Sequence, residues 1–188
     1  SDGAVQVFDN GQVIDYAMPD GTRVRYEGGR VQKTIAPDGT ETSYSYKTDG
    51  PDGTGKVIET TLESSKTKAV YDANNRLKET LDTTTGSHSF YANGVLSRIV
   101  QADGSQFLFY ASAVGSDTQI MMNYYIDPNG TRFYYWMGKI GAIDLTDGTK
   151  INQIAWTPDG KLGTARVVFP DNSVYEFGSS KLLKHTTA

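Results

Sequence analysis

The sequence predicts an all-β chain, a repetitive antiparallel β-hairpin meander that forms an elongated twisted sheet or a partial shell. Three observations predict it. Tight-turn tetrapeptides recur: Pro19-Asp20-Gly21-Thr22 returns as Pro37-Asp38-Gly39-Thr40, and Pro-Asp-Gly again at Pro51 and Pro158. Looser copies are Ala102-Asp103-Gly104-Ser105, Asp127-Pro128-Asn129-Gly130-Thr131 and Asp147-Gly148-Thr149. A recurring unit of this kind marks an array built from one small motif. Second, the runs between these turns alternate in character at period 2, so one side packs and the other meets water. Third, no segment carries a convincing amphipathic helix pattern; the nearest, residues 62–68, is short and lacks an apolar stripe.

Taken in order, Val24 and Tyr26 alternate with Arg23 and Arg25, and Thr42, Tyr44 and Tyr46 with Ser43 and Ser45. Ile58, Thr60 and Leu62 alternate with Glu59, Thr61 and Glu63. Their β-branched and aromatic content suits strands. Asn10-Gly11, Gly28-Gly29, Asn74-Asn75 and Asn93-Gly94 join the Asp-Gly pairs as reversals, and both kinds suit two-residue hairpins with positive φ at both central residues. Residues 48–55 read as a long turn, because Pro51 cannot donate to a ladder. Residues 120–126 and 132–137 are apolar on both faces, which means burial on two sides or an aromatic face open to a partner. The turn spacing yields roughly sixteen short strands. We read residues 1–188 as one repeat-built β domain, with the clearest repeats over 16–110 and a more divergent aromatic-rich part over 111–188.

Composition narrows the function. The 188 residues include 20 Gly and 12 Tyr, with a hydrophobic fraction of 37%, which favours a thin core with rings half in water. The net charge of −4 comes from 22 acidic and 18 basic residues spread without blocks. That disfavours nucleic acid and polybasic membrane contact, both of which need clustered cations. No apolar run approaches the roughly 20 residues of a spanning helix, so membrane insertion is not expected. The absence of cysteine excludes disulfides and thiolate chemistry without fixing the compartment. The start at Ser1-Asp2-Gly3, inside the pattern, gives the expectation of a piece of a longer protein.

Few residues suggest catalysis. His88 reads as an exposed strand histidine and His185 as part of a frayed tail. Nucleophile-elbow, phosphate-loop, zinc and dinucleotide signatures are absent, so neither cofactor nor metal is expected. The acidic turn Asp49-Gly50-Pro51-Asp52-Gly53 offers too few oxygens for a calcium shell. Asp15, Glu27, Glu41, Glu59, Glu79, Asp144 and Glu176 fall on predicted strands, where carboxylates are usually solvated or paired with Lys and Arg. No pair among them stands out for glycoside chemistry. The better binding candidates are Tyr124, Tyr125, Phe133, Tyr134, Tyr135 and Trp136, whose flat rings suit a sugar face or a partner's apolar anchor. Asn129-Gly130-Thr131 matches a glycosylation sequon, although it reads first as a turn.

Aligned units extend the motif. Tyr71-Asp72-Ala73-Asn74-Asn75-Arg76-Leu77 precedes Tyr91; Tyr26 to Val31 precedes Pro37-Asp38-Gly39-Thr40 and Tyr44; Tyr91 to Leu96 precedes Ala102 to Ser105 and Tyr110. This pattern resembles the YD-repeat (Rhs) family of bacterial Rhs, toxin-complex and wall-associated proteins and the animal teneurins. The resemblance implies hairpins wound into a long sheet that often closes as a shell, a scaffold or container role, secretion or surface placement, and in some members carbohydrate contact. This chain is too short for a closed shell, and Asp127-Pro128-Asn129-Gly130 lacks the leucine of the family's self-cleavage core. Residues 154–161, centred on Trp156-Thr157-Pro158-Asp159-Gly160-Lys161, are also similar to a propeller strand-turn, in a single copy. The expected function is a non-enzymatic structural or interaction module of a secreted or surface bacterial protein, partnered by flanking repeats or domains. The alternative is a carbohydrate-binding module using the 120–137 hairpin; a carboxylate glycoside hydrolase ranks third.

Overall fold

A computed structural model describes residues 3–51, 55–114, 117–179 and 181–187. They contain eighteen β-strands and no α-helix, so the expected all-β hairpin meander is what the chain forms. Residues 62–68, the nearest helical candidate, are instead the end of one strand, a turn and the start of the next.

The chain divides into two units, Ser1–Gly94 and Val95–Ala188. The first holds β1 (Val5–Asp9), β2 (Gln12–Ala17), β3 (Arg23–Glu27), β4 (Arg30–Ile35), β5 (Glu41–Thr48), β6 (Val57–Ser64), β7 (Thr67–Asp72), β8 (Leu77–Asp82) and β9 (His88–Ala92). The second holds β10 (Val95–Val100), β11 (Gln106–Val114), β12 (Asp117–Ile126), β13 (Arg132–Trp136), β14 (Lys139–Asp144), β15 (Lys150–Trp156), β16 (Leu162–Val168), β17 (Val174–Gly178) and β18 (Lys181–Thr186). Inside each unit every strand pairs antiparallel with its neighbour in sequence. His185, expected in a frayed tail, lies in β18 and stacks on Tyr175 at 4.1 Å.

Two kinds of reversal make the meander, and this corrects the sequence expectation. Asn10-Gly11, Gly28-Gly29, Asn93-Gly94 and Met137-Gly138 have positive φ at both central residues, as two-residue hairpin turns require. The Asp-Gly turns at Gly21, Gly39, Gly104, Gly148 and Gly160 do not. They are three-residue loops in which only the glycine is left-handed, with φ of 90° at Gly21 and 89° at Gly148. At the first of them Met18 N–H bonds Thr22 O at 2.8 Å and Gly21 N–H bonds Met18 O at 3.0 Å. The same pair of bonds recurs at Ala36, Asp72, Gln101, Asp127, Leu145, Thr157 and Phe169. A type I turn closed by a left-handed residue needs the positive φ only once, and Asn75 and Asn172 fill that place where glycine does not.

The aspartate of the loop secures it. Asp20, Asp38, Asp103 and Asp147 each accept the backbone N–H two residues on, at 2.8–2.9 Å. These bonds favour the carboxylate and hold all four groups below the usual aspartate value. A folded value below the unfolded one stabilises the fold fully above the ordinary carboxyl value of about 3.9. That contribution disappears as the pH falls through the depressed folded values. The triple variant Asp20→Asn, Asp38→Asn, Asp147→Asn keeps the acceptor and loses the titration. Circular dichroism below pH 4 is expected to show it unfolding over a shallower acid slope than the parent; equal slopes exclude the turn carboxylates as the acid trigger.

Consecutive loops on this edge also stack. A side chain at Gly21 would touch Pro37, and one at Gly148 would touch Pro170, so the glycine of one turn lies against the proline of the next. The repeat thus supplies both the reversal and a contact between repeats.

The sheet in each unit is one layer deep, because strands meet only their sequence neighbours. Val24, Val70 and Ala165 are the buried apolar residues among those described. Lateral packing across strands therefore replaces a deep core, as in other repeat proteins. In the first unit one face carries an ion-pair ladder: Arg23–Asp15 at 2.9 Å, Lys33–Glu41 at 2.6 Å, Lys68–Glu63 at 3.9 Å and Lys78–Glu59 at 2.6 Å. The opposite face carries Tyr16, Val24, Tyr26, Tyr44, Leu62 and Ala69, following the strand register.

Candidate functional site

The register of the second unit assembles one unbroken apolar row. Ile99 faces Phe107, then Tyr125, Phe133, Ile143, Ile151, Val167 and Tyr175 across eight strands. All eight side chains are half-buried, and among the described residues of this unit no second layer of strands covers them. Phe107 lies 4.9 Å from Tyr125, and Tyr125 stacks 5.8 Å from Phe133. The other face is polar toward its end, with Lys150, Asn152, Arg166, Glu176 and Lys184 in register.

The six aromatic candidates do not converge on one platform. Period 2 puts Tyr125, Phe133 and Tyr135 on the apolar face, and Tyr124, Tyr134 and Trp136 on the opposite one. Tyr124 and Tyr134 lie 5.6 Å apart, and the Tyr134 hydroxyl donates to Asp144 at 3.1 Å. Phe133, Tyr134 and Tyr135 are half-buried, so this strand is not covered on both sides. Trp136 differs from the other five: it is 73% exposed, and Met137 beside it is 85% exposed. Met137 sits at the first position of the hairpin turn with φ of 49°. A bulky residue there is rare, and asparagine or glycine is preferred.

The carboxylate candidates are all on strands, and each is engaged. Asp15 pairs with Arg23, Glu41 with Lys33, Glu59 with Lys78, Glu79 with His88 at 3.2 Å, and Glu176 with Arg166 at 3.9 Å. Glu27 accepts from Gln32, and Asp144 accepts from Tyr134. The Lys33 and Lys78 bonds push Glu41 and Glu59 below the usual range, whereas a glycosidase acid needs its value raised. His88 is half-buried rather than exposed, tilted against Phe90 with ring centroids 4.2 Å apart. Among the described residues no group of three acidic or histidine side chains could hold a metal. The acidic turn at residues 49–53, a poor calcium shell by its sequence, lies partly outside the described residues; its Asp49 accepts Lys56 N–H at 2.7 Å.

No family model matches the chain. No curated protein matches it either. Among solved structures, the chain is similar to the G-box domain of the microcephaly protein CPAP, for which a role in centriole elongation is suggested. Identity is 17%, coverage is 99% of this chain and 98% of that one, and the TM-score is 0.42. It is also similar to the TCP10 domain of Danio rerio CPAP in complex with a peptide of Danio rerio STIL, at 16% identity, 99% and 100% coverage and TM-score 0.37. A further likeness is to the TcdB2-TccC3 complex, at 13% identity, covering 94% of this chain and 11% of that one, with TM-score 0.26.

Sequence reasoning missed Met137-Gly138 as a turn, because methionine carries no turn signal. It also missed the apolar row beyond Phe133. Ile143, Ile151, Val167 and Tyr175 belong to ordinary-looking strands, and only the register sets them in line.

Proposed function

We propose that the chain is a non-enzymatic interaction scaffold, a module of the YD-repeat kind from a secreted or surface-displayed bacterial protein, joined to flanking repeats or domains. The observation that carries the interaction role is the Trp136-Met137 tip. A left-handed residue without glycine's freedom costs about 1–2 kcal/mol. At this tip that strain holds two large apolar side chains out in water. Outliers of this sort gather where a ligand is gripped. Trp136 supplies a flat, rigid anchor of the type that dominates binding energy, and the apolar row offers a broad surface for a protein partner. A glycan stacked on the open Trp136 ring is the second reading.

The test places a benzophenone photo-crosslinker at position 136, and in a second variant at the exposed turn residue Asp38, in cells producing the natural protein. Capture of a defined protein or glycan at 136 only is expected. Equal labelling at both positions sinks the proposal.

A further inference from the structure

We infer that the first unit carries a separate binding site for a neutral glycan chain, in the concavity between Tyr16 and Tyr26. The concavity has a volume of 550 Å³ and is lined by Gln6, Gln12, Val13, Tyr16, Tyr26 and Gly29. Two β-bulges create it. Val7 opposes Asp15 and Phe8 opposes Val13, so Ile14 is the extra residue, and Val13 turns to the face of Gln6 and Tyr16. The same event at Gln32 leaves Tyr26 opposite Val31.

The next repeat shows what this place looks like when a tyrosine narrows it. Eighteen residues on, by the spacing of Pro19 and Pro37, Gln12, Val13 and Tyr26 correspond to Arg30, Val31 and Tyr44. There the concavity shrinks to 290 Å³. Tyr46 narrows it: its hydroxyl donates to Val31 O at 2.7 Å, and the Arg30 guanidinium lies 5.6 Å from the centre of its ring. Gln32 is spent on Glu27. In the first repeat the equivalent of Tyr46 is Gly28, which has no side chain to occupy the space. Gln6, Gln12, Tyr16 and Tyr26 make no side-chain hydrogen bond or ring contact with any described residue.

The chemistry of that lining selects the ligand. It carries no charge, which disfavours acidic polymers and phosphates. Two ring faces beside Val13 suit the apolar face of a pyranose. Two amides and two phenols each donate and accept, as the neighbouring hydroxyls of a sugar do. A polyproline peptide also docks on aromatic grooves, but it supplies acceptors alone and leaves the amide and phenol oxygens unpaired. The site lies in the first unit and does not depend on the Trp136 tip.

Isothermal titration and amide-detected NMR with cellohexaose, chitohexaose, mannohexaose and maltohexaose test this, with a decaproline peptide and a heparin hexasaccharide alongside. At least one neutral hexasaccharide is expected to bind and to shift the side-chain amide signals of Gln6 and Gln12. Tyr26→Ala, and separately the exposed pair Gln6→Ala with Gln12→Ala, each weaken it about tenfold or more; Trp136→Ala leaves it unchanged. The inference is overturned if none of the four neutral probes binds, if binding survives the glutamine pair in a folded protein, or if only decaproline or heparin binds. Loss on Trp136→Ala alone would return the sugar to the second unit.

Discussion

Replacing Gly148 by valine is expected to destabilise the protein by about 2 kcal/mol, through left-handed backbone strain in a β-branched residue. Its φ is 89°, and a side chain there would meet the Pro170 ring at 3.5 Å. Gly148→Asn should cost less than about 1 kcal/mol, since asparagine tolerates this region and already occupies it at Asn75 and Asn172. Urea denaturation midpoints compare the two. Equal losses would mean that the contact with Pro170, and not the backbone conformation, sets the requirement for glycine. The effect is large here because each loop fixes both a strand register and the stacking of the next loop.

Tyr125→Ala is the second large effect, at about 2 kcal/mol. Removing a fully buried large aromatic costs roughly 3–5 kcal/mol, and Tyr125 is half-buried, which lowers the figure. Two ring neighbours raise it again: Phe107 lies at 4.9 Å and Phe133 at 5.8 Å. With no second layer inside this unit to support the gap, the damage should spread along the sheet. Hydrogen exchange is expected to quicken in β11, β12, β13 and β14. Trp136→Ala should stay within about 0.5 kcal/mol of the parent, because its side chain is in water. If Trp136→Ala costs as much as Tyr125→Ala, the tip is part of the packing and loses its standing as a partner anchor.

The two variants also show where sequence reading succeeds. Gly148 was legible, since Asp147-Gly148-Thr149 repeats the turn signal of Asp20-Gly21-Thr22 and Asp38-Gly39-Thr40. The exact loop was less so: two-residue and three-residue turns share the same glycine, and the difference lies in whether the aspartate before it also turns left-handed. Tyr125 was legible as an unusual residue in an aromatic run, though its face was not. Bulges at Asn123 and Gly141 shift the register on either side of β12 and β13. Each bulge displaces the partner strand by one residue, and neither position announces it. The Tyr16–Tyr26 concavity was illegible for the same reason, because Ile14 looks like any strand residue.

What the amino-acid order determined unaided is the local alternation of reversal and strand. Turn chemistry and period 2 act over a few residues, so a short window contains all of their causes. Which side chains share a face, and which hollows stay open, was decided only across strands. A bulge is a relation between two strands, and the vacancy left by Gly28 exists only because Tyr16 and Tyr26 are held on either side of it.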